Sequence, residues 1–138
     1  MDIIVSGYGK MGKIVESEAL KRGDRIVARI DSSDDWAKLD FDNLKRQANS
    51  CNGDCGIAAV DFSTPDAVLN NIGICFDNDI PIIVGTTGWY SHIERLKKEC
   101  EEKKRSMFWA SNFSIGVFLF NKLNVMLAKM MSSYPQYE

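Results

Sequence analysis

Short apolar runs recur along the chain at Ile3 to Val5, Arg25 to Ile30, Ile57 to Asp61, Pro81 to Val84 and Ser106 to Ala110. Consecutive apolar positions of this length suit strands buried on both faces, and helix-like segments separate most of them. Helix punctuation agrees with that rhythm. Lys21-Arg22-Gly23 reads as a cationic last turn with a glycine stop, and Thr64-Pro65-Asp66 as an N-cap, a proline at the first helical position and an acid at the positive end of the dipole. Ser91 and Glu94 have the spacing of a capping box before a further helix. A β-α alternation with right-handed crossovers predicts an α/β fold, a Rossmann-type doubly wound parallel sheet with its ligand crevice at the carboxyl ends of the strands.

Two stretches depart from the alternation. Asp34 to Asp54 is rich in Asp and Asn around a short amphipathic patch of Trp36, Leu39, Phe41 and Leu44, and reads as an insertion carrying one helix. Ile115 to Met131, "IGVFLFNKLNVMLAKMM", is apolar on nearly every side. Asn121, Lys122, Asn124 and Lys129 interrupt it, and a membrane span needs about 20 predominantly apolar residues, so a buried or partner-facing helix is expected instead. Only Ser132 to Glu138 follow, too few for another layer, and the chain is expected to stop short of the surface that covers this helix. The run "LKKECEEKKR" is the solvated face of a helix.

Composition adds exclusions more than assignments. With 45% hydrophobic and 26% charged residues and a formal charge of -2, the chain has ordinary globular make-up and no basic field for nucleic acid. It opens on strand-like "DIIVSG" with no secretory pattern, so a cytoplasmic location and free thiols are expected for Cys51, Cys55, Cys75 and Cys100. "CNGDC" hints at a metal, but the other cysteines do not repeat its spacing and the lone His92 is remote, so no metal site is expected.

The candidate chemistry lies at the ends of the apolar runs. Gly7-Tyr8-Gly9-Lys10-Met11-Gly12 follows a strand at once and opens a helix, the context in which GxGxxG cradles a pyrophosphate. Gly7 allows the tight turn, Gly9 the close approach of backbone to phosphate, and Gly12 the packing of helix on strand. Asp31 ends the next strand at the spacing of about 20 residues where an acid accepts from ribose hydroxyls. That acid leans towards NAD, although Arg29, Ser32 and Ser33 stand close enough to receive the 2′-phosphate of NADP.

"DFSTP" from Asp61, "GTTGW" from Gly85 and "ASNFS" from Ala110 each follow a strand and share this edge. Each also has a plain structural reading: Thr64 caps a helix, Gly85 and Gly88 make turns, and Asn112 caps the helix that begins near Ser114. No convincing proton donor stands among them. His92 falls at a helix start with no partner to tune it, and Lys10 lies in the phosphate loop.

Together, "GYGKMG", "DFSTP", "VGTTGW" and "ASNFSIGV" resemble, in order and across the whole chain, the N-terminal half of the dihydrodipicolinate reductase family. The resemblance implies a nucleotide-binding domain over residues 1–114, with residues 115–138 forming a hinge helix and the start of a C-terminal domain. It implies that Gly7, Tyr8, Gly9, Lys10, Met11 and Gly12 hold NADH or NADPH, with Asp31 at the ribose and Phe62 at the same edge. Gly85, Thr86 and Thr87 then lie beside the nicotinamide, Thr87 also facing the substrate, while Ala110, Ser111, Asn112 and Phe113 flank the ring. In that family a C-terminal domain binds the dicarboxylate, supplies the proton and builds a homo-tetramer, so no catalytic residue is expected in this chain. The glycine loop is one residue shorter than is common in the family, and Ser111 stands where alanine or proline is frequent. A stand-alone nucleotide-binding module that senses redox state, and an oxidoreductase acting on another small substrate, are the alternative readings.

Overall fold

A computed structural model describes residues 1–49, 56–134 and 136. Five parallel strands, β1 (Asp2–Ser6), β2 (Arg25–Ile30), β3 (Ile57–Asp61), β4 (Ile82–Val84) and β5 (Met107–Trp109), form one sheet in the order β2-β1-β3-β4-β5. Helices α1 (Lys10–Lys21), α2 (Ser33–Ala37), α3 (Phe41–Asn49), α4 (Pro65–Asp77) and α5 (Ile93–Glu102) connect them, and α6 (Ile115–Met131) follows β5.

The period-2 alternation of the central strand divides the core. Ile3 and Val5 pack with Ala19 and Val15 of α1, whereas Ile4 joins Trp36, Ala48, Ile72, Phe76 and Leu96 of α2 to α5. Right-handed crossovers account for this split: the chain moves from β1 outwards to β2 through α1, then back past β1 to β3 and outwards the other way. The reversal lies between β1 and β3, where their diverging connections leave a crevice at the carboxyl ends.

Strand register makes that edge straight. Ser6 pairs with Ile30 on one side and Asp61 on the other, Asp61 with Val84, and Val84 with Trp109. The residues after the members of this row, Gly7, Asp31, Phe62, Gly85 and Ala110, all belong to the candidate site.

Local chemistry departs from the sequence reading in three places. Among the described residues the segment from Asp34 holds two helices, not one, because Leu39 and Asp40 interrupt the helical path between α2 and α3; Cys51 and Cys55 lie outside the described residues. Ser91 and Glu94 form no capping box, because Tyr90–His92 makes a 3-10 turn that runs into α5 and Glu94 pairs with Lys97 at 2.8 Å. At α6 the cap is Ser114, whose Oγ accepts from the Val117 amide at 3.3 Å, while Asn112 Oδ1 accepts from the Ser114 amide at 2.7 Å.

No residue of α6 is buried; Phe118, Leu123 and Met130 are each more than 60% exposed, so within this chain the buried alternative for the helix does not hold. An apolar face of this extent on a soluble surface ordinarily belongs to an interface. Among the described residues no helix is long and apolar enough to cross a membrane.

Cys75, on the inner face of α4, is fully buried, and burial together with the nearby Asp61 carboxylate pushes its thiol from 9.0 up to about 12. The unfolded thiol ionises first, so this contribution to stability is complete below about pH 9 and is lost as pH rises towards about 12. Cys75→Ala should therefore lower stability by about 1 kcal/mol at neutral pH through the small cavity left behind, yet flatten the decline of the thermal midpoint above pH 9. Thermal melts of both proteins across that range check the slope.

Candidate functional site

The crevice at the β1/β3 reversal is a cleft of about 500 Å³, with Gly7, Gly9, Asp31, Ser32, Phe62 and Thr64 among its walls. Three loops meet there because their strands end in the same register row. The sequence-predicted residues at Gly7, Gly9, Asp31 and Phe62 are brought together in this cleft. Gly85, Thr86 and Thr87 continue the edge after β4, and Ala110 to Phe113 after β5.

The loop glycines differ in what requires them. Gly7 has φ of +80°, and a Cβ there would stand 2.4 Å from the carbonyl carbon and oxygen of Phe62. A Cβ on Gly12 would stand 2.3 Å from the Gly7 carbonyl oxygen. Both positions are closed by the protein's own backbone. Gly9 is the opposite case, with φ of -81° and no protein atom within 4 Å of where a Cβ would be. Beyond it, Lys10 and Met11 are exposed in the first turn of α1, at the positive end of the helix dipole.

The Asp31 carboxylate accepts from the Tyr8 amide at 3.2 Å, tying the end of β2 to the glycine loop. The turn after it is held by Asp35, whose Oδ2 accepts from the Asp31 and Ser32 amides, each at 3.0 Å, and from Ser32 Oγ at 3.2 Å. Lys38 and these amides keep the Asp35 carboxyl well below the usual carboxylate range. On the other side of the loop the Tyr8 hydroxyl donates to Glu16 of α1. Arg29 donates to the same carboxylate through Nε at 3.2 Å and through its terminal nitrogen. Arg29 and then Tyr8 lower the Glu16 pKa.

Beneath the cleft lies a polar cluster that sequence reading missed. Asp61 is fully buried at the end of β3. It accepts from Ser6 Oγ at 2.7 Å, Asn71 Nδ2 at 2.8 Å, Thr86 Oγ1 at 2.6 Å, Ser63 Oγ at 2.8 Å and the Ser63 amide at 3.1 Å. Asn71, buried in α4, in turn accepts from Trp36 Nε1 at 2.9 Å. An acid closing an apolar strand was a signal for Asp61. Asn71 sits in the mostly apolar "AVLNNIGICF" of α4, with nothing to mark it out.

This cluster decides what the next loop presents. With its hydroxyl given to Asp61 and its carbonyl accepting from Trp89 Nε1 at 2.7 Å, Thr86 is anchored, and Thr87 is the exposed hydroxyl of that loop. Gly85 leaves room for the Phe62 ring, which would lie 2.2 Å from a Cβ there. Phe62 meets Phe113 edge-on at 6.2 Å, and Phe113 meets Phe108 at 5.9 Å, so an aromatic line joins the loops after β3 and β5. Ser111 and Asn112 are exposed on that last loop.

Backbone donors at a helix start, a carboxylate at the neighbouring strand end and an aromatic wall are the elements that hold a dinucleotide. His92 is exposed at the start of α5, away from the cleft walls. Among the described residues no cluster of His, Cys, Asp or Glu is placed to hold a metal ion.

The family described as "Dihydrodipicolinate reductase, N-terminus" matches residues 1–113. A 4-hydroxy-tetrahydrodipicolinate reductase of Christiangramia forsetii is 35% identical over 137 residues, covering 99% of this chain and 52% of the relative. Another, from Coxiella burnetii, is 30% identical over 125 residues, covering 88% of this chain and 48% of the relative. The chain thus spans about half the length of these relatives. Among solved structures, a dipicolinate-bound dihydrodipicolinate reductase from Paenisporosarcina sp. TG-14 superposes with a TM-score of 0.65 at 20% identity, over 97% of this chain and 54% of that one. That likeness is one of fold.

Removing the buried acid strands several donors at once. Asp61→Ala should cost about 3 kcal/mol, and Asp61→Asn, which turns one acceptor into a donor, about 2 kcal/mol. Urea unfolding midpoints measure both.

Proposed function

The chain belongs to the family of dihydrodipicolinate reductase N-terminal domains, and on that premise we propose that its cleft binds a nicotinamide dinucleotide, NADH in preference to NADPH. The observation that carries this reading is Gly9. Packing requires no glycine there, since a side chain would meet no protein atom and φ, at -81°, lies outside the left-handed region that favours glycine. A glycine kept free beside a helix start, between two glycines the backbone does require, leaves space for an anionic group to approach the amides.

In this reading Gly7, Tyr8, Gly9, Lys10, Met11 and Gly12 hold the pyrophosphate. Asp31, held beside the loop by the Tyr8 amide, accepts from the adenosine ribose hydroxyls. Its charge also repels a 2′-phosphate, which favours NADH. Phe62, Gly85, Thr86 and Thr87 lie at the nicotinamide end, with Thr87 offering its exposed hydroxyl to ring or substrate, and Ala110, Ser111, Asn112 and Phe113 close the other side. Thr86 contributes by position, its hydroxyl being committed to Asp61.

When bound, the dihydronicotinamide supplies a hydride; residues 1–114 serve to bind and orient it. The activity we assign to the complete enzyme is reduction of a cyclic imine dicarboxylate in lysine and diaminopimelate biosynthesis, in the cytoplasm and as a homo-tetramer. Its dicarboxylate site and proton donor we place in a C-terminal domain of which residues 115–138 form the hinge helix and the start, because the backbone and short side chains that line the described cleft suit binding and orienting a cofactor.

Tryptophan-to-dinucleotide energy transfer provides the test, Trp36 standing directly behind the cleft through Asn71. NADH should quench the tryptophan emission saturably and more tightly than NADPH. Gly9→Ala should leave stability within about 1 kcal/mol of the parent while weakening NADH binding by about tenfold or more. Gly7→Ala should instead lose stability outright, and the 138-residue chain should turn over slowly or not at all. A folded protein that ignores NADH removes the proposal, and full-rate turnover by this chain removes the separate proton donor.

A further inference from the structure

We propose that Glu16, a residue of α1 outside the cleft walls, sets the choice between NADH and NADPH by holding Arg29 away from the adenosine ribose. The inference rests on the cleft being a dinucleotide site, as argued above.

Arg29 lies in β2 and Asp31 follows directly after its last residue, and Tyr8 of the glycine loop meets both. The Asp31 carboxylate is bonded to the Tyr8 amide, and the Arg29 guanidinium lies 5.6 Å from the centre of the Tyr8 ring. One aromatic residue therefore separates this cation from the acid at the ribose position. A long, planar guanidinium so close to the ribose is the group best suited to receive a 2′-phosphate.

Here that group is already engaged. Glu16 takes both Nε and the terminal nitrogen of Arg29, and also accepts from the Tyr8 hydroxyl, so the carboxylate, the phenol and the guanidinium brace one another. The Glu16 side chain is only 12% exposed against 48% for Arg29, so the acid is shielded and the cation is drawn inwards to it. The nearest alternative receiver is engaged as well, since the Ser32 hydroxyl donates to Asp35. Lys13, with Nζ 5.9 Å from the Tyr8 ring, adds positive charge on the α1 side of the loop. A 2′-phosphate would thus face the Asp31 carboxylate, with Arg29 neutralised by Glu16 and Asp35 paired to Lys38 at 2.8 Å. A 2′-hydroxyl needs only an acceptor, and Asp31 supplies it.

Glu16→Gln removes the charge while keeping an amide oxygen for Tyr8, and Arg29→Met keeps the bulk of the stem without the cation. Titrations of the 138-residue chain with NADH, NADPH, 5′-AMP and 2′,5′-ADP, alongside thermal melts, separate the effects. In E16Q, NADPH and 2′,5′-ADP should bind about tenfold more tightly, while NADH and 5′-AMP change by less than about twofold. R29M in the parent should leave NADPH affinity unchanged, and E16Q/R29M should lose the gain. An unchanged NADPH-to-NADH ratio in folded E16Q overturns the inference, as does a tenfold loss of NADPH binding in R29M alone; in both cases NADH binding survives. A folded parent that binds none of the four probes overturns the dinucleotide reading itself, and this inference with it.

Discussion

The buried carboxylate of Asp61 is the constraint on which the functional edge of this protein depends. An acid with no solvent exposure is tolerated only where donors replace its hydration, and here they come from β1, the loop after β3, α4 and the loop after β4. Because each donor belongs to a different segment, satisfying one charge fixes all of them relative to one another. Asn71 passes the constraint on through Trp36 to α2, whose start carries the turn after Asp31. The Asp31 side of the cleft and the Thr86 loop beside it are thereby referred to a single point beneath the floor.

With that floor fixed, the parts that face solvent are free to meet a ligand. Tight contacts at Gly7 and Gly12 hold the loop against Phe62 and against itself, and the space at Gly9 is left open. Thr86 is spent on the network while Thr87 is exposed. Tyr8 works in both directions, its amide tethering Asp31 and its hydroxyl and ring organising Glu16 and Arg29. The cleft is therefore built from backbone and short side chains, which suits a site that binds and orients a reactive cofactor more than one that performs proton chemistry.

Much of this was legible along the chain. The five apolar runs became the five strands within a residue or two at each end, because the inner strands β1, β3 and β4 are mostly covered and leave a near-continuous apolar signature. The edge strands β2 and β5 keep exposed positions such as Arg29 and Phe108. The glycine loop, Asp31 and the three later stretches came out at the right strand ends, since a parallel sheet places every β-α loop at the same edge. Local rules failed where a neighbouring segment competed: Ser91 was absorbed into a 3-10 turn and Ser114 took the cap expected of Asn112. The helix at Ile115 to Met131 was evident as apolar, but its full exposure is a property of packing that periodicity does not contain.

The sequence by itself determined the order of elements, the handedness of their connections and the residues at the carboxyl edge, because these follow from short-range patterning and backbone chirality. Only the tertiary structure decided the register row from Ile30 to Trp109, the convergence on Asp61 and the pairing of Glu16 with Arg29. Those contacts join different segments of the chain, Ser6 to Asp61, Asp61 to Thr86, Glu16 to Arg29, through a distance of one hydrogen bond, and such a distance exists only once strand and helix have packed together.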